Sequence, residues 1–332
     1  VDDYSNLSLP LYMMSFDDAD AFADYINKVR MDGVIEESFL DFKTIAFFAP
    51  TLNNTGLRAK VHGGSVSGPV CDMNIRKVRL TLDDGSFSGT VDGHLGDIPD
   101  LEKMSIDAKL SGCVFNTRGL DRMVNAWTPE RIDFQKFAKG ERFFMQCSVG
   151  GRVNDMHIVP EIRSLSGRAE ADVKFHDLLT ESRPIRMDVK LRTKDLDVGK
   201  IIGNGTIGNC SLQTGVKMTF PDERGTKMQI RIDSLKVDRL GLMGYDYSHI
   251  AAAGDLTEDA FDGKFVCNDP NLNFLFQGTF ALAHNTNNSL YKFYANIGHA
   301  DLHVLNLDKR RISRMRMRTA ANFIRTGSDD II

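Results

Sequence analysis

Apolar and polar residues alternate along most of this chain, and a period of two marks a strand with one covered face. The longest example follows the turn signal Asn268-Asp269-Pro270. Leu272, Phe274, Phe276, Gly278, Phe280 and Leu282 fall on one side of it. Asn271, Asn273, Gln277 and Thr279 fall on the other, with Leu275 the one large apolar intruder. A strand divided this way needs a partner surface or a ligand over its apolar side.

The same grammar recurs at Met104, Ile106, Ala108 and Leu110, at Phe143, Met145, Cys147 and Val149, and at Ala169, Ala171, Val173 and Phe175. It returns at Met187, Val189 and Leu191, at Val216, Met218 and Phe220, at Met228, Ile230 and Ile232, and at Tyr291, Phe293, Ala295 and Ile297. Turn chemistry separates the runs at Asp84-Gly85, Gly150-Gly151, Asp222-Glu223-Arg224-Gly225 and Asn285-Thr286-Asn287-Asn288. In Met73, Ile75, Val78 and Leu80 the phase slips at Arg76-Lys77, which predicts a bulge.

One helix is predicted, over residues 17–31. Asp17 or Asp18 can cap it, Ala21, Phe22, Tyr25, Ile26 and Val29 keep helical spacing, and Asp32-Gly33 ends it. Its amphipathic face suits packing on the end of a sheet better than a membrane or a partner. Short helical turns are expected at residues 120–124, 129–137 and 196–202. Gly68-Pro69-Val70-Cys71-Asp72-Met73-Asn74-Ile75 is echoed by Gly151-Arg152-Val153-Asn154-Asp155-Met156-His157-Ile158, which points to repetition of one supersecondary unit. The expected organisation is a partly helical lead-in, 1–38, and a continuous run of strands, 39–332, with sub-units at 39–180 and 181–332. The fold class is mainly β, an elongated, curled antiparallel-type sheet of repeated strands forming an open groove, with a few short helices.

Composition narrows the function. The chain has 332 residues, 42% hydrophobic and 26% charged, with a net charge of −4, which argues against nucleic acid as its main partner. No apolar run reaches the ~18 residues of a membrane span. Val1 is not a native start, so the chain reads as an excised segment and missing targeting signals carry no information. Cys71, Cys113, Cys147, Cys210 and Cys267 are scattered and lack CxxC pairing, the pattern of buried free thiols.

Motifs that suggest chemistry fail on context. Gly203-Asn204-Gly205-Thr206-Ile207-Gly208 fits GxGxxG, but dinucleotide binding needs a strand before it and a helix after it. Here the order is inverted. His299 and His303 have metal-ligand spacing without an HExxH pattern or a third ligand. No catalytic residue, cofactor or metal is predicted. Lys309-Arg310-Arg311 with Arg314, Arg316 and Arg318 forms a basic tract whose last three arginines share one strand face. That face either meets anionic headgroups or guards a sheet edge, and the second reading is favoured.

Several of these segments resemble one family. Val66-Ser67-Gly68-Pro69-Val70, Asp72-Met73-Asn74-Ile75 and Gly96-Asp97-Ile98-Pro99-Asp100 are similar to N-terminal segments of the Bacteroidetes branch of the TamB proteins, relatives of the AsmA-like envelope proteins. Leu196-Asp197-Val198-Gly199-Lys200-Ile201-Ile202, Gly244-Tyr245-Asp246-Tyr247 with Ile250, Phe261-Asp262-Gly263, Asp269-Pro270-Asn271-Leu272 and Ala300-Asp301-Leu302 are similar to its later ones. The resemblance spans residues 39–307 and rests on structural, not catalytic, motifs. It implies an inner-membrane-anchored protein crossing the periplasm of a Gram-negative bacterium, its anchor absent here. It also implies a curled open sheet, a β-taco, with an apolar interior.

Two functions follow as expectations. One is a non-enzymatic scaffold carrying phospholipid acyl chains between membranes and supporting outer-membrane assembly proteins. Leu272, Phe274, Phe276, Phe280, Tyr291, Phe293 and Ile297 would line its groove. The other is a chaperone-like module that binds unfolded outer-membrane β-proteins by strand addition. A carbohydrate-active enzyme is disfavoured, because one Trp and seven Tyr do not line a sugar cleft.

Overall fold

The computed structural model describes residues 4–45, 56–125, 136, 140–281 and 289–325. These residues are mainly β, with antiparallel pairing throughout and a few short helices. The chain divides into two compact units, Val1–Leu165 and Ser166–Ile332.

In the first unit, β1 (Leu11–Ser15) pairs with β2 (Arg30–Ile35). β2 and β3 (Ser38–Asp41) lie end to end along β4 (Arg58–Gly68), as one strand interrupted at Glu36-Glu37. The chain then meanders through β5 (Asp72–Leu82), β6 (Phe87–Gly96), β7 (Ser105–Asn116), β8 (Arg142–Arg152) and β9 (Asp155–Ser164), each pairing with the next.

The second unit repeats the plan with β10 (Gly167–His176), β11 (Arg186–Asp197), β12 (Ile207–Thr219) and β13 (Gln229–Leu242). β14 (Tyr245–Tyr247) and β15 (Ile250–Thr257) together flank β13 as one interrupted strand. β16 (Ala260–Asp269), β17 (Leu272–Ala281), β18 (Ser289–Asp301) and β19 (Arg314–Arg325) complete the meander.

Each alternating run falls on a strand except for the terminal residues Met104, Phe220 and Met228, which lie one position outside. The bulge is present: register shifts between Ile75 and Val78, and the Lys77 amide donates to Asp92 at 2.8 Å. The echoed segments are the same hairpin used twice. Gly68 and Gly151 each face the backbone of the aspartate four residues on, and a Cβ there would collide with that carbonyl. Gly150-Gly151 is not itself a turn; it belongs to β8, and the chain reverses at Val153-Asn154.

The helix expected over 17–31 forms only over Ala19–Lys28, and mostly not as α-helix. A 3-10 turn (Ala19–Asp24) is followed by one α-turn, α1 (Tyr25–Lys28). Asp18 does cap it, accepting the Ala21 amide at 3.0 Å. From Arg30 the chain pairs with β1, so Asp32-Gly33 lies inside β2. Long-range strand pairing outweighs local helical spacing here. α2 (Phe42–Ile45), α3 (Thr117–Asn125) and α4 (Val198–Ile202) complete the helices, the last two where turns were expected. The turn predicted at 129–137 and that at Asn285–Asn288 lie outside the described residues, apart from Lys136, as does Leu282.

Each unit buries its core at one end of its strands. In the first, Leu57, Ala59, Leu82, Phe87, Cys113 and Phe115 are covered by Phe42 of α2 and by Leu120 and Met123 of α3. In the second, Cys210, Val237, Tyr247, Ile250, Cys267 and Ala300 gather around Leu305, with Val198 of α4 against them.

Candidate apolar groove

Register carries one apolar face across the second unit. Val173, Val189, Val216, Ile232, Gly254, Gly263, Gly278, Phe293 and Ala321 are successive partners from β10 to β19. A second row runs parallel to it, through Phe175, Met187, Met218, Ile230, Leu256, Phe261 and Phe280. Phe280 meets Tyr291 edge-on at 5.3 Å between ring centres, and Tyr291 stacks on Phe323 at 4.8 Å. At about 4.8 Å per strand, these rows make a charge-free lane roughly 40 Å long.

The opposite face is charged. Lys174, Asp188, Lys217, Arg231 and Asp255 form a cross-strand ladder there, with Arg231 and Asp255 2.7 Å apart. Period two therefore sorts charged from apolar side chains across β10, β11, β12, β13 and β15, and the ladder face is the one that water wets.

The residues predicted to line a groove divide between two settings. Leu272, Phe274 and Ile297 pack on the core around Leu305, and Phe274 meets Phe265 at 5.7 Å. Phe276, Phe280, Tyr291 and Phe293 lie beyond that core. Their rings join Phe261 and Phe323 in a separate network, Phe261–Phe276 at 6.1 Å, Phe276–Phe293 at 5.4 Å and Phe280–Phe293 at 5.8 Å. Phe280 remains 41% exposed and Phe323 47%. Phe261, Phe276, Tyr291 and Phe293 are each partly exposed.

Glycine makes the network possible. Gly263 and Gly278 are partners beneath it. A Cβ on Gly263 would come within 2.7 Å of the Phe261 ring, and one on Gly278 within 2.7 Å of the Phe293 Cα. Gly278 also sits at φ +129°, which L side chains rarely adopt. The bare backbone lets aromatic rings lie across the strands.

A buried polar lock holds the core end. The Asp269 carboxylate, at the β16–β17 turn, accepts from the Tyr245 hydroxyl at 2.5 Å and from the Ser248 amide and hydroxyl, each at 2.9 Å. It also accepts the Asn271 amide at 2.9 Å, and the Asn271 side chain donates to Tyr245 at 3.0 Å. Burial works against this carboxylate, but the donors outweigh it and hold its pKa below the ordinary value. The role of the Gly244–Tyr247 and Asp269–Leu272 segments is thus architectural.

The weaker candidates have ordinary roles. Gly203 caps α4 in the left-handed region, and the Asn204 amide donates to the Gly199 carbonyl at 2.8 Å, so helix precedes strand as the spacing implied. His299 contacts the Pro270 carbonyl at 2.8 Å and His303 the Asp308 carbonyl at 3.3 Å. Among the described residues no three His, Cys, Asp or Glu converge as metal ligands. The cysteines are free, four of them buried, and burial pushes the Cys113 thiol up to about 11. Leu305, in the connection between β18 and β19, fills the core without any periodic signal in the sequence. Comparison of the chain with protein-family models, curated proteins and solved structures finds no match in any of the three.

Proposed function

We propose that this chain is a segment of a non-enzymatic envelope scaffold whose apolar lane carries phospholipid acyl chains. The observation that supports it is the lane itself: apolar, continuous in register, partly exposed along its length and most open at Phe280 and Phe323. Each methylene taken from water there contributes about 0.8 kcal/mol. A lane without charges holds chains without fixing them at one point, which transit requires. The reading keeps the periplasmic setting, the inner-membrane anchor and the outer-membrane partners that the TamB resemblance implies.

A strand-addition chaperone is the alternative, and one observation favours it. β1 pairs only with β2 among the described residues, and Leu11, Tyr12, Met13 and Met14 are all exposed. An apolar edge of this kind accepts a further strand. It differs from β19, whose exposed Arg316 and Arg318 discourage one.

Photo-crosslinking in cells separates the two. A probe at Phe280, with Gln277 on the opposite face as control, should yield phospholipid adducts at Phe280 alone. Adducts to outer-membrane polypeptides at Phe280, or at a probe on Met13, would favour strand addition. No adduct at Phe280 would defeat the transport reading.

A further inference from the structure

The connection between β18 and β19, residues 302–313, faces two ways. Inward, Leu305 is fully buried in the core. The loop is pinned by the Leu302 amide on the Ser313 carbonyl at 2.8 Å and by the Ser313 hydroxyl on Asp308 at 2.7 Å. The Asn306 side chain also donates to the Met243 carbonyl at 3.0 Å. Outward, the same loop presents Leu307 and Ile312, the latter 85% exposed. A side chain in that position gains almost nothing from folding, because its apolar surface stays in water.

Cations surround these aliphatics. Lys309, Arg310, Arg311 and Arg314 are exposed, and Arg316 and Arg318 continue the series along β19. Within residues 301–318 the acids are Asp301 and Asp308, both engaged: Arg310 holds Asp308 at 2.5 Å and Arg314 approaches Asp301 at 3.4 Å. Lys309, Arg311, Arg316 and Arg318 have no ion-pair partner among the described residues. An edge that only resists strand pairing needs charge, not an exposed isoleucine beside it.

We infer that residues 302–313 and the start of β19 dock on an anionic lipid surface. Leu307 and Ile312 enter the boundary between headgroups and acyl chains, while Lys309, Arg311 and their neighbours contact phosphates. An acidic protein surface would match the cations but gives a protruding aliphatic loop no reason to be apolar. The inference stands apart from the lane, which lies on the other side of the Leu305 core.

The test is co-sedimentation of the purified chain with phosphatidylcholine vesicles, with and without phosphatidylglycerol, at low and high salt. Binding is expected only with phosphatidylglycerol and should weaken in high salt. Lys309→Ser and Arg311→Ser should each weaken it by about fivefold. Ile312→Ser, which leaves the charge unchanged, should weaken it by about fivefold or more. Lys190→Ser, on the outer face of β11, should leave it unchanged, and circular dichroism checks that each variant folds. Equal binding to both vesicle types, no binding, or loop variants that match the parent would overturn the proposal. So would capture of an acidic polypeptide by the loop without vesicle binding.

Discussion

The two ends of the second unit's apolar face use the same residue types and treat them differently. At one end, Phe265 and Phe274 pack with Ile297 against a core sealed by Leu305 and locked by Asp269. At the other, Phe261, Phe276, Phe280, Phe293, Tyr291 and Phe323 form a ring network outside that core, with Phe280 41% and Phe323 47% exposed. Phenylalanine content does not distinguish a buried core from a partly exposed face. What distinguishes them is whether another segment of the chain covers the rings. The first unit repeats the division: α3 closes its core end, while beyond it Ile75, Gly93, Ala108, Val149 and Ile158 form a small aliphatic row. The second unit's open end is aromatic and bulkier.

The largest break in this comparison should come from Leu305→Ala. Removing a fully buried leucine should cost about 3 to 5 kcal/mol, read from denaturant unfolding. Phe323→Ala, at the exposed end, should cost no more than about 1 kcal/mol. Similar losses would mean that both ends are packed alike.

Asp269→Asn should follow, at about 1 to 3 kcal/mol, since buried donors lose their carboxylate. Its pH dependence is a sharper signature. A folded pKa below the unfolded value means stability fully present above about pH 3.9 and lost as pH falls through the folded value. The Asn variant should lack that acid-dependent component in a melting series.

Gly278→Val should cost about 1 to 3 kcal/mol through its positive φ and its crowding on β18. It should also displace Phe293 and reduce phospholipid adducts at Phe280. Smallest in stability is Phe280→Ser, at about 1 kcal/mol, the worth of its two ring contacts. Its expected effect is functional: lipid adducts from a probe at the neighbouring Phe276 should fall while the melting curve barely moves.

Much of the sheet was legible because alternation is a local signal. Each of the runs named from sequence lies on a strand to within one residue at its end, and Arg76-Lys77 marked a true bulge. The face was legible too, since Phe274, Phe276 and Phe280 share it by period alone. Its division into a packed and an open end was not. That depends on Leu305, which reaches Cys267 and Tyr247 only after the chain has turned back from β18, and no spacing announces such a contact. The shortened helix has the same origin. Ala21, Tyr25 and Val29 do keep helical spacing, but Arg30 onward is claimed by β1, which precedes it in the chain.

Fluorine NMR of the purified chain, with fluorophenylalanine in place of phenylalanine and a short-chain phospholipid titrated in, tests the division most directly. Signals from Phe276, Phe280, Phe293 and Phe323 should shift together, while those from Phe265 and Phe274 stay in place. Shifts at Phe274 equal to those at Phe280, or none at Phe280, would contradict an open lane beside a closed core.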